Sequence, residues 1–324
     1  AGASAYRYNR GFAAWSEVFR ERREGLYDWR RADFIRREVI PWIGKNRGSR
    51  FFLYLHLRQP HSPYLPPSPF LRGLLPGVQG KFDGSVDSLK ALDEGAAFSQ
   101  ADQDYLKGFY DGNLAVADEA LGALFSRLEH LDLLKNTVVL ILADHGEAFG
   151  EHGRFEHSST LYDEMIRIPM IWKFADHCDT PKVVTQDVCL ADVFPTVADL
   201  FSMERTRMRF DGRSILPWLC GARVPESRWI YSRTTEKANL ASLRNDEYKL
   251  IQDLDSGKTE LFDLRGDPGE KKSRVEALPV TAGYLKARLA EMREAMKEKA
   301  PGSMQTLQPD KGILEDMRAL GYID

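Results

Sequence analysis

Thr137-Val138-Val139-Leu140-Ile141-Leu142-Ala143-Asp144-His145-Gly146-Glu147 is the stretch on which the reading of this sequence turns. Its first seven residues are rich in β-branched side chains and almost wholly apolar, the form of a strand buried on both faces of a sheet. Charge and glycine arrive together at Asp144, so the strand ends there in a loop. Upstream, Ser99 and Asp102 have the spacing of a capping box, and Leu106, Phe109, Tyr110, Leu114, Ala117, Leu121, Leu124, Phe125 and Leu128 recur at helical spacing. A long amphipathic helix is predicted over residues 102–130, with Gly112 as the point where it could break. Further upstream, Phe51-Phe52-Leu53-Tyr54-Leu55-His56-Leu57 has the same strand character and leads into a loop carrying Pro60, Pro63, Pro66, Pro67 and Pro69. Proline at that density blocks both helix and central strand. Strand, loop, helix and strand in that order make a crossover unit, and such units build a mostly parallel sheet with helices on its faces. Residues 51–57 and 137–143 are therefore predicted as parallel members of one sheet.

Downstream, residues 166–174 read as a third strand and residues 187–201 as helical, with Pro195 at the first helical position. After about Val224 the character changes. Short strand-like runs at 229–232, 238–243, 248–252 and 260–264, separated by turn chemistry such as Asp255-Ser256-Gly257, predict a small antiparallel sheet closed by a charged helix over 282–299. The fold class is α/β: a mostly parallel central sheet flanked by helices over residues 1–224, followed by an α+β subdomain over 225–324.

With 324 residues, 43% of them apolar, the chain has material for a substantial core and is not a disordered segment. Lys plus Arg number 45 against 48 Asp plus Glu, so no overall basic field exists to draw in nucleic acid or anionic lipid. The longest apolar runs, 51–57 and 137–143, fall far short of the roughly 18 to 20 residues that cross a bilayer, and no membrane span is predicted. Residues 1–12 lack a charged start followed by an apolar block, so any signal peptide is expected upstream, and the compartment, periplasmic or secreted among the choices, stays open. Cys178, Cys189 and Cys220 are widely spaced without a Cys-x-x-Cys pattern, which suggests buried thiols in place of a disulfide framework or zinc knuckle.

Asp144 and His145 place an oxygen and a nitrogen donor side by side at the carboxyl end of a core strand, where ligands collect in open parallel sheets. The pair reads either as a loop cap or as part of a divalent cation site needing further ligands. Gly146, Gly150 and Gly153 punctuate the loop that follows, allowing tight bends near a ligand. His61 follows the other core strand in the same manner, and the two loops are predicted to converge, bringing His61, Asp144, His145 and His157 into one crevice. His152 reads either as a crevice residue or as a loop cap. His56 reads as a hydrogen-bonded core residue, Asp163, Glu164 and Arg167 as an ion-paired connection, and His130 and His177 as surface residues.

The block Asp144-His145-Gly146-Glu147-Ala148-Phe149-Gly150-Glu151-His152-Gly153, then His157, then Leu161-Tyr162-Asp163-Glu164-Met165-Ile166-Arg167-Ile168-Pro169, closely resembles the sulfatase family of the alkaline-phosphatase-like superfamily. Pro60-His61-Ser62-Pro63-Tyr64 looks like that family's His-x-Pro loop. Asp192-Val193-Phe194-Pro195-Thr196, Asp211-Gly212-Arg213-Ser214-Ile215-Leu216, Tyr248-Lys249-Leu250-Ile251, Glu260-Leu261-Phe262-Asp263-Leu264, Asp267-Pro268-Gly269-Glu270 and Leu320-Gly321-Tyr322 are similar to later signatures, in the family's order. The resemblance implies that Asp144 and His145 are the second pair of metal ligands. It also implies that His61 and His157 contact the ester group, stabilising negative charge or protonating the leaving oxygen; in its crevice reading His152 is a further substrate contact. Many relatives have lysine where this chain has His157 and asparagine where it has His145. Calcium is the family's usual ion, and an imidazole ligand makes manganese or zinc more credible than an all-oxygen site would.

The family's nucleophile is a cysteine or serine in a Cys/Ser-x-Pro-x-Arg motif, converted to formylglycine. Cys178-Asp179-Thr180-Pro181-Lys182 has the wrong spacing, and Cys189 and Cys220 lack both proline and arginine. The chain is expected to begin after that motif, near Arg10-Gly11-Phe12, to act with an upstream segment of the same protein, and to be catalytically silent alone. The reading is metal-dependent hydrolysis of a small-molecule or glycan sulfate ester. Phosphate or phosphonate ester hydrolysis is the close alternative, and a nonenzymatic binding relative is the alternative from a different class.

Overall fold

The computed structural model describes residues 33–75, 77, 79–157, 159–175, 183–203, 210–222, 227–234 and 237–299. These fall into two compact units: one holds residues up to Val86 together with Asp104–Arg127, the other Asp87–Gln103 together with Leu128–Lys297.

In the first unit, a π-helical turn (Ile35–Val39) that buries Ile35 and Val39 continues into helix α1 (Ile40–Asn46), which buries Ile43. Most of helix α2 (Gln100–His130) belongs here as well. Its buried positions, Leu106, Asn113, Ala117, Ala120, Leu124 and Leu128, recur at intervals of three, four and seven, the stripe that defines a core-facing helix. The predicted capping box is present: Ser99 donates its backbone N–H to Asp102 Oδ2 at 2.9 Å, and Asp102 donates its own to Ser99 Oγ at 3.2 Å. Gly112 does not break the helix. A Cβ there would lie 2.5 Å from Pro66 Cγ, so the glycine admits the proline-rich loop against the helix surface. Asn113 secures that loop by donating to the Pro63 carbonyl at 3.3 Å.

Residues 51–57 depart from their prediction. They are extended but form no ladder among the described residues, and the alternating side chains of Phe52 and Tyr54 are 71% and 60% exposed. Such a run packs on one side only, so it is not a strand buried on both faces, and His56, which shares the exposed side, is not a core residue.

In the second unit, β1 (Val139–Leu142) pairs antiparallel with β4 (Met170–Lys173), through Leu142↔Met170 and Val139↔Lys173. The third strand exists, but the predicted parallel arrangement does not occur in any described ladder. Parallel neighbours need a crossover connection, usually a helix. Residues 143–169 are instead taken up by the hairpin of β2 (Ala148–Phe149) and β3 (Phe155–Glu156) and by the single-turn helix α3 (Asp163–Ile166), so the chain turns back beside β1. Helix α4 (Val193–Leu200) has Pro195 as its third residue, not its first, still within the turn whose N–H groups lack helical partners. Two sequence signatures meet there: Arg213 N–H donates to buried Asp192 Oδ1 at 2.9 Å, and Ile215 N–H to Thr196 Oγ1 at 3.0 Å. Cys189 is only half-buried and Cys220 is exposed, contrary to the buried reading.

The predicted small sheet is present as a meander of β5 (Ile230–Thr234), β6 (Leu240–Arg244), β7 (Tyr248–Asp253) and β8 (Thr259–Asp263), each antiparallel to the next. Ala241, Leu243, Leu250 and Leu261 meet Ala282, Leu285 and Leu289 of helix α5 (Pro279–Lys299). Alternation sends the neighbouring residues to the other face, where Ile251 and Phe262 pack with Leu161, Tyr162 and Ile166. Lys249 shares that face. It is completely buried, with Nζ 2.8 Å from Asp163 Oδ1 and 2.7 Å from Glu270 Oε1. Arg244 NH1 reaches both oxygens of Asp163 at 2.7 and 2.8 Å, and Glu270 Oε2 accepts the Asp163 backbone N–H at 2.6 Å.

Burial raises the pKa of Glu270, since Lys249 lies close but the Asp163 carboxylate faces it too. Burial acts on Asp163 in the same direction, but Lys249 and Arg244 together outweigh it and hold Asp163 below the usual carboxylate range. Removing one partner of such a buried set leaves uncompensated charge behind. Lys249→Met is therefore expected to lower unfolding free energy by about 3–5 kcal/mol in denaturant titration; a loss below about 1 kcal/mol would show that the lysine does not anchor α3 to the sheet.

Candidate active site

The segment after β1 is held by backbone contact before any side chain acts. Gly146 N–H donates to the Met165 carbonyl at 2.6 Å, and a Cβ on Gly146 would lie 2.0 Å from the Glu164 carbonyl oxygen, so no other residue fits. The β2–β3 hairpin then reverses the chain. It is braced by Gln103, which donates to the Phe149 carbonyl at 2.8 Å, and by Phe98 edge-on to Phe155 at 4.8 Å.

This reversal returns His157 to His145, and the two rings stack at 4.4 Å with 26° between their planes. Asp144 points outward, its side chain 70% exposed, with Oδ1 accepting the His145 backbone N–H at 3.0 Å. His145 donates from Nδ1 to the Gly146 carbonyl at 2.8 Å, so its neutral ring keeps the lone pair on Nε2, 3.9 Å from Asp144 Oδ1. One carboxylate oxygen and one imidazole nitrogen so placed fit a divalent cation as part of its ligand set. Among the described residues no group of three or more His, Cys, Asp or Glu side chains could hold an ion.

His157 is nearly buried and its Nδ1 lies 3.1 Å from Glu147 Oε1. Burial opposes its charged form. The hydrogen bond and charge of Glu147, with Glu156 behind them, outweigh burial and Lys237 and lift its pKa above the ordinary histidine value. His61 lies in the first unit, where Nδ1 donates to the Ser62 carbonyl at 2.7 Å. Of the four residues predicted to share a crevice, the second unit thus brings Asp144, His145 and His157 together.

His152 uses both ring nitrogens within the protein. Nδ1 lies 2.7 Å from Glu164 Oε1, Nε2 lies 3.1 Å from the Glu270 carbonyl, and the ring stacks on Tyr162 at 3.7 Å. Both partners accept hydrogen bonds, so the contacts favour the protonated ring. Asp163 and Glu164 are ion-paired as predicted, Arg167 is exposed, and His130 is at the surface. Glu147, Glu270 and Tyr162 carry weight that sequence reading missed. Glu147 was detectable, because a hairpin centred between Phe149 and Phe155 sets residue 147 opposite residue 157. Arg10-Gly11-Phe12, His177, residues 178–182 and Leu320-Gly321-Tyr322 lie outside the described residues.

The family model described as Sulfatase matches residues 4–203, more than half of the chain. The chain belongs to the sulfatase family. A second model, N-sulphoglucosamine sulphohydrolase, C-terminal, matches residues 150–298 of this sulfatase-family chain. Arylsulfatase K of Gallus gallus is 28% identical over 296 residues, covering 80% of this chain and 54% of that protein. Choline-sulfatase of Rhizobium meliloti (strain 1021) is 30% identical over 171 residues, covering 52% and 32%. The chain thus spans about half the length of the arylsulfatase relatives it matches. Among solved structures, BT4656 in complex with its substrate D-glucosamine-2-N,6-O-disulfate superposes with a TM-score of 0.68 at 17% identity, covering 85% of this chain and 72% of that one. The phosphonate monoester hydrolase of Silicibacter pomeroyi gives 0.67 at 20%, covering 94% and 69%. These likenesses establish the alkaline-phosphatase-like fold.

The geometry of His152 has a measurable sign. Burial alone would lower its pKa, but the hydrogen bond and charge of Glu164, joined by the Glu270 carbonyl, raise it above the ordinary value. A raised folded-state pKa contributes stability that is complete below the unfolded value, about 6.5, and is lost as pH rises through the folded one. The stability gap between wild type and His152→Gln should therefore shrink as pH climbs above about 6.5. Denaturation midpoints across a pH series check this, and a gap that is constant or widens would exclude the clamp.

Proposed function

We propose that the protein hydrolyses sulfate esters of a small molecule or glycan in a metal-assisted reaction. The observation that carries this reading is the gathering of Asp144, His145 and His157 after β1, in a chain of the sulfatase family. A divalent cation bound there would act as a Lewis acid on the ester oxygens. Asp144 and His145 would hold it, His145 through Nε2. Calcium is the family's usual choice, and the imidazole donor also suits manganese or zinc.

His157 and His61 are assigned to the ester as catalytic groups and substrate contacts, supplying positive charge or hydrogen bonds where the transferred group carries negative charge. Either ring can protonate the leaving oxygen in its imidazolium form. The nearly buried position of His157 supports this role, since charge acts more strongly away from bulk water. His152 enters as the residue that holds the loop, because Glu164 and the Glu270 carbonyl occupy its nitrogens. Residues 1–224 form the hydrolase core in this reading, and residues 225–324 the subdomain whose sheet supports α3.

The test is hydrolysis of aryl sulfate and aryl phosphate monoesters by the full-length protein, before and after chelation and in Asp144→Ala and His157→Ala. Sulfate turnover that is lost on chelation, regained with a divalent ion, and reduced more than about 100-fold by Asp144→Ala is the expected result. Turnover that survives Asp144→Ala removes the metal role. A preference for phosphate or phosphonate esters would move the assignment to that chemistry, and absence of turnover on every ester would favour a binding protein.

A further inference from the structure

Helix α3 is a single turn, too short to be stable by its own hydrogen bonds, so its place is set from outside. Tyr162, the residue before it, stands between two structures. On one side its hydroxyl donates to Glu260 Oε2 of β8 at 2.8 Å, and its ring packs with Ile251 and Phe262 of the meander. On the other side the ring lies flat on His152, with centroids 3.7 Å apart and 12° between the planes. Burial and the Glu260 carboxylate push the Tyr162 pKa up, so the hydroxyl stays neutral and remains a donor to β8.

His152 occupies the turn of the β2–β3 hairpin with φ +50°, a left-handed backbone that a residue other than glycine keeps only when its surroundings impose it. The hairpin supplies little of that constraint, because β2 and β3 pair over two positions only. It is gripped instead from the α3 segment. At its base Gly146 N–H bonds to the Met165 carbonyl, and at its tip His152 meets Glu164 and lies on Tyr162. A tilt of the tip therefore moves the strands that return His157 to His145. We propose that Tyr162 is a positioning residue for ester hydrolysis: its ring, set from β8, fixes the hairpin tip through His152 and so the placement of the groups after β1. This assignment rests on the reading that those groups work on a sulfate ester. Misplacing a reacting group by about 1 Å, even from a distant substitution, can cost about 100-fold in rate.

A tyrosine that merely fills the core would use the same contacts, so the test reads the hairpin separately from the meander. Hydrogen–deuterium exchange and steady-state kinetics are measured on the full-length protein. Tyr162→Leu removes the ring but keeps an apolar side chain against the meander. Its hairpin amides should exchange faster while those of β5 to β8 keep their protection, with kcat for an aryl sulfate falling about 10–100-fold and KM within about twofold. Tyr162→Phe keeps the stacked ring and should restore hairpin protection, with kcat within about threefold of wild type. Equal losses in the two variants would overturn the proposal. If Tyr162→Leu loosens the meander as well, His152→Asn decides: asparagine tolerates the left-handed backbone and carries a donor, but has no ring to stack. Faster hairpin exchange with an intact meander in that variant supports the proposal, and unchanged exchange sinks it. If the wild type hydrolyses no sulfate ester, the functional reading fails, while the exchange comparison still decides whether the stack holds the hairpin.

Discussion

A lysine ammonium with no exposure to water cannot stand alone, and Lys249 meets that constraint by bridging Asp163 and Glu270. Each contact fixes a different piece of chain. Lys249 belongs to β7, Asp163 opens α3, and Glu270 lies in the turn after β8. The carboxylates in turn bind Arg244 and the Asp163 backbone, so the meander, the single-turn helix and the turn form one electrostatic unit. Buried charge sets of this kind contribute little net stability over an apolar alternative, but they penalise every arrangement that separates the partners. Here that penalty selects the position of residues 161–166, against which the loop after β1 is built.

The loop reads this position through three contacts. Gly146 hydrogen-bonds to Met165, His152 bonds to Glu164 and to the Glu270 carbonyl, and the His152 ring lies on Tyr162. Tyr162 donates its hydroxyl to Glu260 of β8 at 2.8 Å, and burial with that nearby carboxylate pushes its pKa up. The C-terminal sheet therefore bears on the site without supplying a proposed catalytic group. The β2–β3 hairpin completes the effect by returning His157 to His145, so that the rings and the carboxylates of Asp144 and Glu147 share one neighbourhood.

Family membership narrows the chemistry further than the fold does. The same fold superposes on a glucosamine disulfate complex and on a phosphonate monoester hydrolase with nearly equal TM-scores, so architecture alone leaves the transferred group open. What discriminates is the charge and geometry presented to that group. After β1 stand two stacked imidazoles, one tethered to a backbone carbonyl and one to a carboxylate. Positive charge at His157 depends on the Glu147 contact and on the balance against burial, whereas a lysine would carry its charge across the neutral range.

Local chemistry alone settled much of this protein. The capping box at Ser99 and Asp102, the helix behind it, the four short strands after residue 229 and the loop at Asp144 are all set by neighbours in sequence, through helical period, alternation and turn residues. The motif order likewise made the family legible. Pairing partners were not legible, because a short apolar run has the same composition whether its neighbour lies parallel, antiparallel or nowhere in the ladder. The antiparallel match of β1 with β4 and the one-sided exposure of residues 51–57 show this. The roles of Lys249, Glu270 and Glu147 were decided only in the tertiary structure. A buried charge is tolerable only where residues distant along the chain arrive to compensate it, and their arrival is a property of the folded chain, not of local sequence.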